Sequence, residues 1–277
     1  MENSITMIKY QGLGNDYLVL DPNKNRVQLQ GKKIALLCQR GFGLGADGVL
    51  YGPVEINGKM GVHIYNSDGS EAMMCGNGSR CVGKFVYDKG LTEKKSVTLE
   101  TLSGIKILNL HVENGKVESV SVDMGKSQIL TLGGNTTPFV NQPITAKGIT
   151  MNGTAVSMGN PHLVFFVENA EIFDVASVGP AFEHHPWFEN RTNVEFAQIL
   201  SPAKIRMRVW ERGSGITMAC GTGACATFAA AKECGLVNGK TTLVLDGGEL
   251  QIENSSTNGD VIMTGPAQTV FEGKIEI

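Results

Sequence analysis

The chain has 277 residues and a formal net charge of −3, a balance that argues against nucleic acid or an anionic membrane surface as partner. Its length accommodates two domains of about 140 residues each. Residues 1–10 carry no apolar signal segment and no later apolar run is long enough to span a bilayer, so the expectation is a cytoplasmic protein whose partner is a small molecule.

In chain order, residues 32–39 read as a first helix. Met60, Val62 and Ile64 alternate with polar neighbours as in a half-buried strand. A second helix is expected over residues 76–89, followed by strands with Val97 and Leu99, then Ile105 and Ile107, on their inner faces. A linker is placed at residues 123–126. Beyond it come a helix over residues 176–184, a strand with Ile205, Met207 and Val209 set against Lys204, Arg206 and Arg208, and a helix over residues 221–233. The last residues, 269–277, are expected to pair back with the first half.

Two of these helices lack a polar face. Ala224, Cys225, Ala226, Phe228, Ala229, Ala230 and Ala231 make one apolar nearly all round, and Cys81, Val82, Phe85 and Val86 mark the other. Both read as buried central helices, each ended by a glycine suited to a left-handed cap, Gly90 and Gly235. With 35 glycines for tight turns, the fold class expected is α+β: two pseudo-symmetric halves, each a barrel-like, mostly antiparallel sheet around one helix. The halves are residues 1–123 with returning strand 267–277, and residues 124–266.

The pseudo-symmetry is written in the sequence. Cys75-Gly76-Asn77-Gly78 recurs as Cys220-Gly221-Thr222-Gly223, an offset of 145 residues. The same offset relates Gly14-Asn15 to Gly159-Asn160, Leu18-Val19 to Leu163-Val164, Val49 to Val194, Tyr65 to Trp210, Met73 to Met218 and Gly90-Leu91 to Gly235-Leu236. One spacing held across a chain marks two halves built on one plan. Two facing halves can present two thiols to opposite sides of one substrate carbon.

A lone cysteine near a helix start is usually a small buried apolar residue, and Cys38, Cys81, Cys225 and Cys234 are read so. For Cys75 and Cys220 the duplicated element points elsewhere. Unpaired amides and the positive dipole end at a helix start favour a thiolate, and the flanking glycines let a carboxylate approach the same amides. One thiolate can then remove an α-hydrogen while the other thiol protonates the opposite face. All six cysteines are expected reduced, because the chain has core enough without disulfides. The spacings Cys75-Xaa5-Cys81 and Cys220-Xaa4-Cys225 do not suit zinc, so no metal is expected.

His162, Glu211 and Arg212 fall in the same repeat frame. Asn15, Asn66, Asn77, Asn160 and Asn193 add uncharged donors and acceptors able to hold ammonium and carboxylate groups together.

These residues lie within longer motifs: Gly12-Leu13-Gly14-Asn15-Asp16, Gly45-Ala46-Asp47-Gly48, Asn66-Ser67-Asp68-Gly69-Ser70-Glu71, Cys75-Gly76-Asn77-Gly78-Ser79-Arg80-Cys81, Gly159-Asn160-Pro161-His162, Arg191-Thr192-Asn193-Val194-Glu195-Phe196, Glu211-Arg212-Gly213-Ser214-Gly215 and Ala219-Cys220-Gly221-Thr222-Gly223-Ala224-Cys225. Together, from about residue 7 onward, they resemble the diaminopimelate epimerase family. The resemblance implies a cofactor-independent enzyme that interconverts L,L- and meso-diaminopimelate for lysine and peptidoglycan synthesis, with its site in a cleft between two halves. It implies that Cys75 and Cys220 are the acid–base pair and that His162 and Glu211 tune them. Gly76, Asn77, Gly221 and Thr222 would bind the reacting carboxylate through their backbone. Asn15, Asn66, Asn160, Asn193, Glu211 and Arg212 would hold the rest of the substrate. Many family members have Gln where this chain has Gly48, Glu at Ile216, and Ala at Ser79 or Ser214. Gly48 removes one contact to substrate and Ile216 removes a charge near the second cysteine.

Three alternatives stand beside this reading. A related racemase of histidine or proline would share the thiols, yet would leave Arg212 without a second carboxylate to bind. A thiol hydrolase would use one cysteine with His162 and leave the other idle. A silent amino-acid-binding protein would keep the fold alone. Association into a homodimer is left open.

Overall fold

The structure, a computed structural model, describes residues 4–25, 30–72 and 75–276. Met73, the repeat partner of Met218, and Ile277, the end of the expected returning strand, lie outside the described residues. The chain divides into two compact units, residues 1–123 with 264–277 and residues 124–263.

The first unit runs β1 (Ser4–Gly12), β2 (Asn15–Leu20), α1 (Gly31–Cys38), β3 (Gly48–Ile56), β4 (Lys59–Asn66), α2 (Gly76–Asp88), β5 (Ser96–Thr101), β6 (Gly104–Glu113) and β7 (Lys116–Asp123). Most neighbouring strands pair antiparallel, whereas β2–β3 and β4–β5 are parallel. The sheet wraps α2, which packs on β1, β2, β3, β6 and β7. Residues 76–86 of this helix are all buried, Arg80 and Lys84 among them. Buried polar groups need partners, and carbonyls of the surrounding chain supply them: Arg80 Nε donates to Pro266 O at 3.1 Å and Lys84 Nζ to Val117 O at 2.5 Å.

One expected strand face is reversed. Ile105 and Ile107 of β6 are 47% and 45% exposed, while Leu108 and Leu110 are buried. The reason is α2: a Cβ on Gly83 would lie 3.0 Å from Leu110 Cδ2 and 3.4 Å from Leu108 Cδ1. Glycine thus lets the helix settle on the leucine face, and one-residue alternation turns the isoleucines outward.

The second unit contains β8 (Gln128–Ile129), β9 (Gln142–Ala146), β10 (Ile149–Ser157), β11 (Pro161–Phe166), α3 (Val175–Glu183), β12 (Asn193–Ser201), β13 (Lys204–Glu211), β14 (Gly215–Ile216), α4 (Gly221–Glu233), β15 (Thr241–Leu245) and β16 (Gly248–Asn254). The chain leaves it within β17 (Val261–Pro266), and β18 (Gln268–Glu276) pairs antiparallel with β1, from Ser4↔Glu276 to Gln11↔Gln268. Here α4 is the enclosed helix, packed on β10, β11, β12, β13, β15 and β16. Phe165, Phe173, Phe182 and Phe196 form a continuous aromatic cluster at centroid distances of 4.6 to 5.8 Å. Ile205, Met207 and Val209 face inward on β13 as their alternation predicts.

The duplication extends to strand register. Tyr17 lies opposite Gly48 across the parallel β2–β3 pair, and His162 lies opposite Asn193 across β11–β12, each 145 positions on. Val49↔Tyr65 likewise corresponds to Val194↔Trp210. Both α2 and α4 have 13 residues, and Gly90 and Gly235 share φ = +69°, the left-handed conformation that ends a helix. Among the described residues no helix is long and apolar enough to cross a membrane.

Candidate active site

Each cysteine of interest is the N-cap of its central helix. Cys75 (φ −140°, ψ 118°) and Cys220 (φ −119°, ψ 111°) are extended, and their sulfurs accept from Gly78 N and Gly223 N, both at 3.3 Å. Extended caps followed by glycine bring the sulfur back over the first turn, where helix amides lack intrahelical acceptors.

In the first unit, Cys75 Sγ lies 2.9 Å from Tyr17 Oη and 3.9 Å from Asn15 Oδ1. Asn15 Oδ1 also accepts from Asn77 Nδ2 at 3.2 Å, and Asn15 Nδ2 donates to Asp47 Oδ2 at 2.9 Å, which fixes the orientation of the Asn15 amide. Asp47 is held in turn by Arg40. The structure thus gathers Asn15, Gly76 and Asn77 around Cys75. Asn66, the exposed last residue of β4, donates to Ser70 Oγ at 3.0 Å.

In the second unit, Cys220 Sγ is 3.5 Å from Thr222 Oγ1, which accepts from Asn160 Nδ2 at 3.4 Å. Asn160 Oδ1 meets His162 Nε2 at 3.1 Å, and His162 Nδ1 meets Glu195 Oε1 at 2.6 Å, with both of the latter side chains wholly buried. Glu211 accepts a short hydrogen bond from Thr217 and lies within hydrogen-bond reach of Cys220. Asn193 is a clamp: its Nδ2 donates to Pro161 O at 2.9 Å while its Oδ1 accepts from Arg212 N at 3.0 Å. Arg212 Nη1 donates to Asn190 O at 3.0 Å, and among the described residues no carboxylate lies within ion-pair reach of its guanidinium. A cavity of about 430 Å³ opens here, lined by Asn160, Trp187, Asn190, Arg191 and Arg212.

Electrostatics correct one expectation. The helix starts do stabilise the sulfurs as anions, yet burial outweighs them: the Cys75 thiol is pushed up, although Tyr17, the Gly78 and Asn77 amides and Arg80 all pull it down. Cys220 is raised well above an ordinary thiol, first by burial and then by the Glu211 and Glu195 carboxylates. Burial and Glu195 also raise Glu211. Burial therefore favours the protonated form of both thiols.

Two neighbours of the sulfurs escaped the sequence reading. Tyr17 sits in an apolar strand, and the signal that could have found it is the repeat offset, which places it at His162. Glu195 lies in a motif singled out for resemblance alone, and its buried pairing with His162 depends on β11 and β12 being neighbours. Ile216 is 43% exposed on β14, and the carboxylates beside Cys220 are Glu195 and Glu211. Among the described residues no group of three or more His, Cys, Asp or Glu is placed to hold a metal ion, and all six cysteines are free thiols.

Similarity to known proteins now bears on this arrangement. A sequence profile described as diaminopimelate epimerase matches residues 7–130 and 154–270. The chain is 49% identical to a diaminopimelate epimerase of Phocaeicola vulgatus and 48% identical to one of Bacteroides thetaiotaomicron, in both cases with 100% of each chain covered. It is 47% identical to one of Methanococcus maripaludis, covering 97% of this chain and 99% of the relative. In fold it is similar to a hydroxyproline epimerase from Agrobacterium vitis, with a TM-score of 0.71 at 14% identity over 100% of this chain and 94% of the other. A Bacillus anthracis phenazine biosynthesis protein of the PhzF family gives 0.72 at 14% identity, with 99% of both chains covered.

Proposed function

Because the chain belongs to the diaminopimelate epimerase family, we propose that it interconverts L,L- and meso-diaminopimelate without a cofactor, with Cys75 and Cys220 as the two acid–base groups. The observation that carries this reading is the pair of equivalent N-cap cysteines, each with its sulfur 3.3 Å from an amide of its own helix. One sulfur, as thiolate, takes the α-hydrogen. The other, as thiol, gives its proton to the opposite face of the carbanion, so the stereocentre inverts and the two sulfurs exchange protonation states.

Burial favours the protonated form of both thiols, so the cycle begins when one of them gives up its proton, which the Glu211 carboxylate, within hydrogen-bond reach of Cys220, is placed to accept. His162 and Glu211 are the groups that tune the pair. The first-turn backbone at Gly76, Asn77, Gly221 and Thr222 receives the α-carboxylate, and its dipoles stabilise charge that builds as the α-hydrogen departs. Asn15, Asn66, Asn160, Asn193, Glu211 and Arg212 hold the distal amino-acid group. Arg212 supports diaminopimelate over histidine or proline, because a guanidinium open to the cavity is matched by a second carboxylate. The reading carries with it a cytoplasmic enzyme whose product serves lysine and peptidoglycan synthesis, and a homodimer is compatible with it.

Incubating the protein with pure L,L-diaminopimelate and separating the stereoisomers tests the substrate. The meso form should accumulate to equilibrium. Inert L,L-diaminopimelate alongside racemised histidine or proline would overturn the assignment.

A further inference from the structure

We infer that Tyr17 is a positioning residue for Cys75, its phenolic hydroxyl holding the sulfur in place and sustaining the thiolate at the start of α2. The inference deepens the functional reading above and rests on Cys75 being one of its two proton carriers.

Three observations carry it. The Tyr17 hydroxyl lies 2.9 Å from Cys75 Sγ, and the tyrosine is only 7% exposed. Room for the ring has been made at Gly48, across the parallel β2–β3 pair: a Cβ there would stand 2.9 Å from Tyr17 Cε1 and 2.2 Å from the Tyr65 carbonyl oxygen. Gly48 is therefore more than a lost side-chain contact, since its missing side chain leaves the place that Tyr17 fills. Finally, the repeat relates Tyr17 to His162 and Gly48 to Asn193 in matching register. A hydrogen-bonding ring thus stands at the same strand position in each unit, a phenol in one and an imidazole in the other.

The direction of proton donation follows from the surroundings. Burial, with Cys75 beside it, pushes the Tyr17 phenol well above its usual value, so it keeps its proton and donates. The groups facing the sulfur are Asn15 and Tyr17 from β2 and the Asn77 and Gly78 amides, Arg80 and Cys81 from α2; Asp47, preceding β3, faces the phenol. Of these, the Tyr17 hydroxyl, the two amides and Arg80 favour the thiolate. Deleting the hydroxyl removes one of them and shifts Cys75 further up.

Tyr17→Phe keeps the ring and removes only the oxygen. Carbamidomethylation of Cys75 and Cys220 by iodoacetamide is followed by peptide mass spectrometry from about pH 6 to 10, in the parent and the variant. The Cys75 profile should move up by about one pH unit, making alkylation near pH 8 roughly tenfold slower, because hydrogen bonds to charged groups are the strong ones. The Cys220 profile should stay put. Placing 3,5-difluorotyrosine at position 17, which sharpens the donor and keeps the shape, should move Cys75 the other way. A packing role alone would leave the Cys75 profile unmoved in both proteins, and that result would overturn the inference. Alkylation needs no turnover, so a chain that fails to epimerise diaminopimelate would refute the functional reading while leaving this readout intact.

Discussion

His162 Nδ1 and Glu195 Oε1 stand 2.6 Å apart, with neither side chain exposed to solvent. A pair so buried is costly to break, because the survivor keeps its desolvation penalty and loses its partner. His162→Ala should lower unfolding free energy by about 3 kcal/mol, read from urea denaturation. Glu195→Gln, which keeps an acceptor of the same shape, should cost clearly less. A negligible cost for Glu195→Gln beside a full cost for His162→Ala would mean that packing and shape, rather than the charged pair, hold this part of the second unit, and equal costs would mean that the Glu195 charge itself is indispensable.

The glycines after the cysteines are not interchangeable. A Cβ on Gly223 would lie 2.7 Å from Glu195 Oε1 and 3.2 Å from Cys220 Sγ, whereas one on Gly78 would meet Leu50 Cδ2 at 3.1 Å and Cys75 Cβ at 3.4 Å. Gly223→Ala must push a buried carboxylate and the sulfur aside, at a cost of about 1–3 kcal/mol, and should depress turnover. Gly78→Ala presses on an apolar side chain that can yield. Steady-state kinetics and thermal melts of the two variants should therefore rank Gly223→Ala as the worse on both measures.

Arg212 should act on binding of the substrate's far end. Arg212→Ala is expected to raise KM by roughly 10- to 100-fold, the range of a lost charge-assisted hydrogen-bonded contact, with a smaller effect on kcat. Arg212→Lys restores the charge without the two-point geometry and should fall between. An unchanged KM for diaminopimelate in Arg212→Ala would remove the argument for a second carboxylate.

Alkaline stability follows from buried thiols. Burial pushes Cys81 up to about 12, whereas an unfolded thiol ionises near pH ~8.5. Between these values the native state holds a proton that the unfolded chain has released, so stability falls as pH rises through the window. Below it, the contribution is fully present. Cys81→Ala deletes this linkage and should show a slope between about pH 9 and 11 that is shallower by up to about 1.4 kcal/mol per pH unit. Urea midpoints across that range give the comparison, and parallel slopes for parent and variant would contradict it.

Much of this was legible in the sequence, for identifiable reasons. The helix starts at Gly76 and Gly221 could be read because Cys-Gly-Xaa-Gly marks a break in strand pattern twice, and the ends at Gly90 and Gly235 because glycine alone takes φ = +69° cheaply. The inward face of β6 could not. Ile105, Ile107, Leu108 and Leu110 fit either parity, and the choice is made by Gly83 on a helix distant in sequence. The electrostatics of the thiols were legible only in part for a related reason: amides at a helix start are local and visible in sequence, whereas burial and the approach of Glu195 and Glu211 to Cys220 are products of the folded unit.

The most direct test of the two-thiol account is hydrogen exchange at the α-carbon. Parent, Cys75→Ala and Cys220→Ala proteins are incubated with L,L-diaminopimelate in heavy water, and deuterium and stereochemistry are read together by mass spectrometry and chiral separation. The account predicts that the parent forms meso product carrying one solvent deuteron at the inverted centre, and that neither variant converts L,L to meso at a measurable rate. Substantial inversion by either single variant would contradict it, since one remaining sulfur cannot serve both faces of the carbon.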